Sequence, residues 1–349
     1  MKLLHIISSL EIGGAQRLLS DLLPIQKQQG LDVELLVNVS VENDFTAKIQ
    51  EAGVKIISLD EPNLHSFSNI LRLRKIIKGY DVVHVHLFPS VYWVALASIG
   101  LKVKLVYTEH STSNRRREKS YFRPIEKFVY RQYDKIISIS QQTQDALQQW
   151  VQSTDSRFVV VNNGVDTKSF SSLRSSVVPK SLIMVSRFVA AKDQETLIRA
   201  MKHLDEDVIL RLVGDGENMD HCKQVAMEEG VLDRVEFLGS RSDVSELIAG
   251  SYIGVQSSNW EGFGLTAVEL MAAGKPVIAS DVEGLKQVVD GAGIVFSRGN
   301  VSELSEKIAH LLMDKEYYEA VASACKQRSM RYDISVMASE YKSVYYGFA

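Results

Sequence analysis

Short runs of Val, Ile and Leu recur along this chain, each ending in turn residues and followed by a longer segment with apolar positions at helical spacing. Runs of four to eight apolar residues without alternation suit strands buried on both faces, and strands alternating with helices predict a parallel sheet. The first half supplies LLHIIS (3–8), DVELLVNVS (32–40), VKIISL (54–59), DVVHVHL (81–87), KLVYTE (104–109), KIISIS (135–140) and FVVVNNG (158–164). After a break come SLIMVSR (181–187), DVILRLVGDG (207–216), VEFLG (235–239), YIGVQSS (252–258), KPVIAS (275–280) and AGIVF (292–296). Helices are expected between them, among them KDQETLIRAMKHL (192–204) and VSELSEKIAHLLMD (301–314). The break is VDTKSFSSLRSSVVPK (165–180), polar, Ser-rich and closed by Pro. The pattern predicts an α/β protein of two Rossmann-like domains, 1–170 and 181–334, with the linker at 171–180. The stretch SVMASEYKSVYYGFA (335–349) reads as an aromatic helix too late to extend the second sheet, and is expected to pack back on the first domain. Two such domains can present the carboxyl ends of their strands across a cleft, where open α/β sheets bind ligands.

Composition narrows the partners. A chain of 349 residues with 45% hydrophobic content can fill two cores, and a net charge of −3 gives no footprint for nucleic acid. Two cysteines, Cys222 and Cys325, have neither disulfide-framework nor zinc spacing, which points to a reducing cytosol. The opening MKLLHIISSLEIGG reads as a buried strand, because Gly13-Gly14 and a polar helix stand where a signal peptide would be cleaved. With no apolar run of about 18 residues, any membrane contact is expected to be peripheral.

Candidate chemistry sits just after the strands. In WEGFGLTAVELMAAGKPVIAS (260–280), Glu261 falls on a loop and Glu269 within a helix. Between them Gly262-Phe263-Gly264 opens that helix, so the free N–H groups near Gly264, Leu265 and Thr266 offer an anion site helped by the helix dipole. Carboxylates flanking such a site can accept bonds from vicinal hydroxyls of a ribose and a hexose. Taken alone, the two read more simply as a loop glutamate and a solvated helix glutamate. In SRFVAAKD (186–193), Arg187 follows a strand and Lys192 starts a helix, so two cations project toward the cleft, where they can balance the charge of a diphosphate; either alone reads more simply as a surface Arg or a helix-starting Lys. Gly13-Gly14 resembles a phosphate-binding turn, and His110 ends a strand. His84 and His86 share a strand face, but no third metal ligand is evident.

Trp260–Ser280 resembles the Glu-x7-Glu signature of the retaining glycosyltransferases of family 4, which have the GT-B fold of two facing Rossmann-like domains with a cleft between them. GGAQR (13–17), TEH (108–110), NNGVD (162–166) and SRFVAAKD (186–193) match in the family's order. The resemblance implies transfer of a hexose or N-acetylhexosamine from a nucleoside diphosphate sugar to a saccharide or lipid-linked acceptor, in assembly of bacterial surface polysaccharide or glycolipid. It assigns Arg187, Lys192 and the Gly14 backbone to the diphosphate, and His110 to the transferred sugar. Glu261 and the backbone of Phe263 and Gly264 fall to the hexose, Glu269 to the ribose, and the backbone near Ser240-Arg241 to the base. Such enzymes use no protein nucleophile, and the departing phosphate takes the acceptor proton. Neither metal nor cofactor is expected, and Asp205-Glu206-Asp207 reads as a solvated turn. Two other readings stay open: a GT-B protein that binds nucleotide sugar without turnover, and a sugar-nucleotide epimerase. The segment SNRRREKSYFRPIEKFVYRQYDK (113–135) carries eight Lys/Arg against three acids among Tyr and Phe. It suits an anionic membrane on the cytoplasmic side, or equally an aromatic-packed helix with a solvated charged face. LRLRKIIKG (71–79) is a weaker basic stretch.

Overall fold

The computed structural model describes residues 1–11, 13–60, 68–112 and 116–348. The chain forms two units, Met1–Gly164 with Ile334–Ala349, and Val165–Asp333.

The first unit holds β1 (Lys2–Ile7), β2 (Asp32–Val37), β3 (Lys55–Ser58), β4 (Val82–His86), β5 (Lys104–Glu109), β6 (Lys135–Ser138) and β7 (Phe158–Val160). They pair in parallel in the order β3-β2-β1-β4-β5-β6-β7. Because side chains alternate along a strand, β1 feeds both cores. Leu3 and Ile7 pack with Leu18 and Leu22 of the helix Gly14–Gln28 and with Met337 and Tyr341 of the helix Ile334–Tyr346. Leu4 and Ile6 pack on the other face, with Leu73, Val94, Val129 and Leu147 of four further helices.

The second unit holds β8 (Ser181–Val185), β9 (Ile209–Val213), β10 (Val235–Gly239), β11 (Ile253–Gln256), β12 (Val277–Ser280) and β13 (Ile294–Phe296). Their order is β10-β9-β8-β11-β12-β13, again parallel. The fold class read from the pattern is borne out. The strand order reverses between β1 and β4 in one sheet and between β8 and β11 in the other, which makes each a topological switch point.

The unit boundary differs from the expected one. The chain enters the second unit at Val165, and the segment expected as linker at 171–180 lies within that unit. Asp166 caps the helix Thr167–Ser172 by accepting from the Ser169 N–H at 3.0 Å. Val165 N–H donates to the Tyr332 carbonyl at 2.9 Å, Thr167 hydrogen-bonds Asp333, and Val178 N–H donates to the Gly250 carbonyl at 2.9 Å. A polar, Ser-rich composition here marks capping and turn chemistry.

Candidate functional site

Arg187, Lys192 and Glu261 stand on the two loops that leave the β8/β11 switch point, Leu265, Thr266 and Glu269 in the helix that follows the second of them, and Arg241 on the loop after β10. Gln194 Nε2 donates to Ser186 Oγ at 3.0 Å and to the Arg187 carbonyl at 2.9 Å, fixing the loop after β8. Asn259 N–H donates to the Ala191 carbonyl at 2.8 Å, Asn259 Nδ2 to the Ala190 carbonyl at 2.9 Å, and Ser257 Oγ to the Asp193 carbonyl at 2.7 Å. These bonds stitch the two loops together. Their result is an ion pair between Lys192 Nζ and Glu261 Oε1, with side-chain exposures of 20% and 13%, while Ser258 Oγ donates to the same carboxylate oxygen at 3.2 Å. Arg187 stands exposed on the same loop.

Two glycines that bear no ligand-facing side chain hold these loops. Gly284 has φ +83°, and a Cβ there would lie 2.3 Å from the Glu261 carbonyl oxygen. Gly214 has φ +130°, and a Cβ there would lie 2.0 Å from the Ser186 carbonyl oxygen, next to Arg187. Gly214 belongs to the Gly214-Asp215-Gly216 turn after β9, and Gly284 to a turn after β12 that the sequence reading did not single out.

The helix Leu265–Ala272 starts at Gly264 with neither a side-chain cap nor an acid in its first turn. Its positive end is therefore unopposed by its own sequence. Leu265 and Thr266 are half-buried at that start, and Glu269 is buried one turn on. Phe263 is 3% exposed and meets Tyr332 edge to face with ring centroids 5.3 Å apart, so its side chain belongs to the core and only its backbone is left for a ligand. Arg241 is held by Asp243 through bonds of 2.7 and 2.6 Å. Asp205 and Asp207 pair with Lys180 at 3.6 and 2.7 Å, which makes that turn a surface ion cluster.

In the first unit, Gly14 is exposed at the start of a helix with no side-chain cap, and a Cβ there would meet nothing within 4 Å among the described residues. His110 is half-buried after β5, with Nε2 3.1 Å from His86 Nδ1. Burial pushes its imidazole down to about 4, so the ring is neutral at neutral pH. The third histidine that sequence reasoning missed is His5: it lies opposite His84 in the β1–β4 register. Ligand atoms of His5, His84 and His86 fall within 4.8 Å of one another. Five of their six nitrogens are already engaged, however, and only His5 Nε2 has no hydrogen-bond partner among the described residues. His5 Nδ1 and His86 Nε2 lie 3.0 Å apart, and His84 reaches Tyr345 Oη at 2.6 Å and Thr108 Oγ1 at 2.7 Å.

The basic segment divides in two, with 113–115 outside the described residues. Arg116 Nε donates at 2.9 Å to buried Glu126, which also accepts from Tyr92 Oη at 2.9 Å and Trp150 Nε1 at 2.5 Å. Arg117 pairs with buried Glu109, and the Arg123 guanidinium lies 4.8 Å from the Trp150 ring. These cations serve the fold. Tyr121, Ile125 and Phe128 are exposed by 61%, 47% and 47%, and their spacing puts them on one side of the helix Phe122–Tyr130 and its leading turn. Among the described residues, no helix is long and apolar enough to cross a membrane.

Comparison with known proteins matches both halves. The family model for Glycosyltransferase Family 4 matches residues 12–169, and that for Glycosyl transferases group 1 matches 165–328. The chain is 27% identical over 361 residues to phosphatidyl-myo-inositol mannosyltransferase of Mycobacterium leprae, covering 95% of this chain and 92% of the relative. It is 26% identical over 287 residues to N-acetyl-alpha-D-glucosaminyl L-malate synthase of Bacillus anthracis, covering 77% and 75%. The crystal structure of Anabaena Alr3699/HepE in complex with UDP superposes with a TM-score of 0.87 over 99% of both chains at 23% identity, a likeness of fold.

Proposed function

We propose that the chain is a glycosyltransferase of GT-B fold, a retaining, metal-independent hexosyltransferase using a nucleoside diphosphate sugar, a reading supported by the two glycosyltransferase family models that match its two halves and by the fold it shares with HepE. The observation that carries this reading is the Lys192–Glu261 ion pair beside the uncapped start of the helix Leu265–Ala272, on the loops of a switch point. A departing diphosphate needs fixed positive charge more than it needs a nucleophile. Lys192, Arg187 and the N–H groups of Leu265 and Thr266 supply that charge, and the Glu261 carboxylate accepts from hexose hydroxyls. Glu269 takes the ribose. The base falls to the backbone at Ser240-Arg241, since the Arg241 side chain is engaged by Asp243. From the first unit, the Gly14 backbone takes the diphosphate and His110 the transferred sugar. The leaving phosphate accepts the acceptor's proton.

The HepE structures hold UDP or UDP-glucose, which makes UDP-glucose the first donor to test. The mannosyltransferase relative is named for a phosphatidyl-inositol acceptor, which supports a glycolipid acceptor met at the inner face of a membrane. The exposed Tyr121, Ile125 and Phe128 ridge, in place of the arginines beside it, is the membrane-facing feature.

The test is nucleotide release from a panel of sugar nucleotides with bacterial lipid extract as acceptor, followed by NMR of the product anomer. Release with the donor's anomeric configuration kept is expected. Binding without release for every donor would make the protein a binding module, and a free C2-epimer formed without acceptor would make it an epimerase.

A further inference from the structure

One face of the first sheet carries more ring nitrogens than packing requires. His5, His84 and His86 are fully buried there, under the helix Gly14–Gln28, which brings Gln26, and the helix Ile334–Tyr346, which brings Tyr341 and Tyr345. The contacts run in a line. His110 Nε2 lies 3.1 Å from His86 Nδ1, and His86 Nε2 lies 3.0 Å from His5 Nδ1. His5 neighbours the Gln26 amide, and His5 Nε2 and Gln26 Oε1 are both buried with no hydrogen-bond partner among the described residues, which leaves each as the group available to the other.

We infer that Gln26, His5 and His86 form a hydrogen-bond chain that holds His110 as its Nε2–H tautomer, leaving Nδ1 as a bare acceptor. A neutral imidazole has one donor and one acceptor nitrogen. Three such rings in line therefore point their protons all toward Gln26 or all away from it. An amide oxygen only accepts, so His5 Nε2–H must donate to Gln26 Oε1. His86 Nε2–H then donates to His5 Nδ1, and His110 Nε2–H to His86 Nδ1. The rings are kept neutral by burial, which pushes His5 down to about 3 and His84 and His86 well below the ordinary value of 6.5.

A side branch sets the amide's orientation, on which the direction depends. Gln26 Nε2 points to Tyr345 Oη at 3.5 Å, which frees the Tyr345 hydroxyl proton for His84 Nδ1 at 2.6 Å. His84 Nε2–H then donates to Thr108 Oγ1 at 2.7 Å, and the Thr108 hydroxyl to Tyr341 Oη at 3.2 Å. Every bond in both branches has one donor and one acceptor. Reversing Gln26 would reverse them all.

For transfer, and resting on the proposed role of His110, the chain makes Nδ1 of a weakly basic ring an acceptor for a sugar hydroxyl. Gln26, His5 and His86 are positioning residues. The experiment is a long-range proton–nitrogen correlation spectrum of the full chain labelled with 15N-histidine at pH 7.5, without donor, so it stands apart from whether the protein transfers sugar. Wild type should show His110 protonated at Nε2, Gln26→Met should show both tautomers, and Gln26→Glu, which keeps an acceptor oxygen, should restore the first. A wild-type His110 protonated at Nδ1, or one unchanged by Gln26→Met, overturns the chain. So does stoichiometric zinc on His5, His84 and His86 in the purified protein, since a metal would take the lone pairs the chain uses. If the transfer reading holds, Gln26→Met lowers kcat several-fold and leaves the donor KM unchanged.

Discussion

Gly284 lies flat against the backbone of Glu261, so close that a methyl group on it would sit 2.3 Å from the Glu261 carbonyl oxygen. The turn after β12 thereby fixes where the loop after β11 sets its carboxylate.

Gly284→Ala should therefore act on the site without adding a group that reaches a ligand. An L-residue at φ +83° costs about 1–2 kcal/mol, and the clash must displace Glu261. Expected outcomes are a loss of about 1–3 kcal/mol in urea unfolding and a turnover drop on the order of tenfold or more. Unchanged turnover would show that the Glu261 position is not set from Gly284.

The Lys192–Glu261 pair allows a cycle that separates folding from function. Lys192→Met and Glu261→Gln should each lower turnover by about 10²-fold or more, and each strands a partly buried partner. The double variant should recover part of the stability, with a coupling of about 0.5–3 kcal/mol, and none of the turnover. Recovery of turnover in the double variant would reduce the pair to a structural role.

The histidine cluster sets a pH dependence of stability. His5 and His110 have folded values pushed down to about 3 and about 4 from the ordinary 6.5, and His84 and His86 are lowered in the same direction. Between 6.5 and those folded values the unfolded chain binds protons that the folded chain refuses, so stability falls as pH falls through that window. Each ring contributes up to about 1.4 kcal/mol per pH unit. Urea midpoints should drop between pH 7 and pH 5, and a flat profile there would contradict neutral burial of the rings.

The basic segment should split under mutation as it does in the structure. Replacing Tyr121, Ile125 and Phe128 together by Ser should weaken sedimentation with anionic vesicles and leave thermal stability within a degree or two, because all three are exposed. Arg116→Ala should instead cost about 3–5 kcal/mol, because it leaves the buried Glu126 carboxylate without its cation. Vesicle binding that survives the triple Ser variant would move any membrane contact elsewhere.

How much of this could be read from the residues follows from what is local. All thirteen strands among the described residues fall within or one residue from the apolar runs quoted from the sequence, because a strand covered on both faces needs an unbroken run. The meeting of Lys192 and Glu261 was only implied, since it depends on β8 and β11 being neighbours across a crossover. His5 escaped notice because its partner is set by the β1–β4 register, some 80 residues away in sequence. Arg116 and Arg117 look like solvated charges until Glu126 and Glu109 are found buried beneath them. The helix Lys315–Ser329 has charges on most turns and was not singled out, although its Val321 and Cys325 are buried. Gly284 stands in no motif, and its role appears only once the backbone it touches is known.

The helix Ile334–Tyr346 covers a sheet whose last strand ends at Val160, so the first unit is finished only after the whole second unit has been made. At about 5–20 residues per second of synthesis, a ribosome needs roughly 10–40 s to add that span. Through that interval the nascent first unit carries Leu3, Ile7, Leu18 and Leu22 without Met337, Tyr341 and Tyr345 over them. A nascent chain arrested at Asp333 should accordingly be cut by protease within its first 160 residues and bind chaperone, and one extended past Tyr346 should resist both.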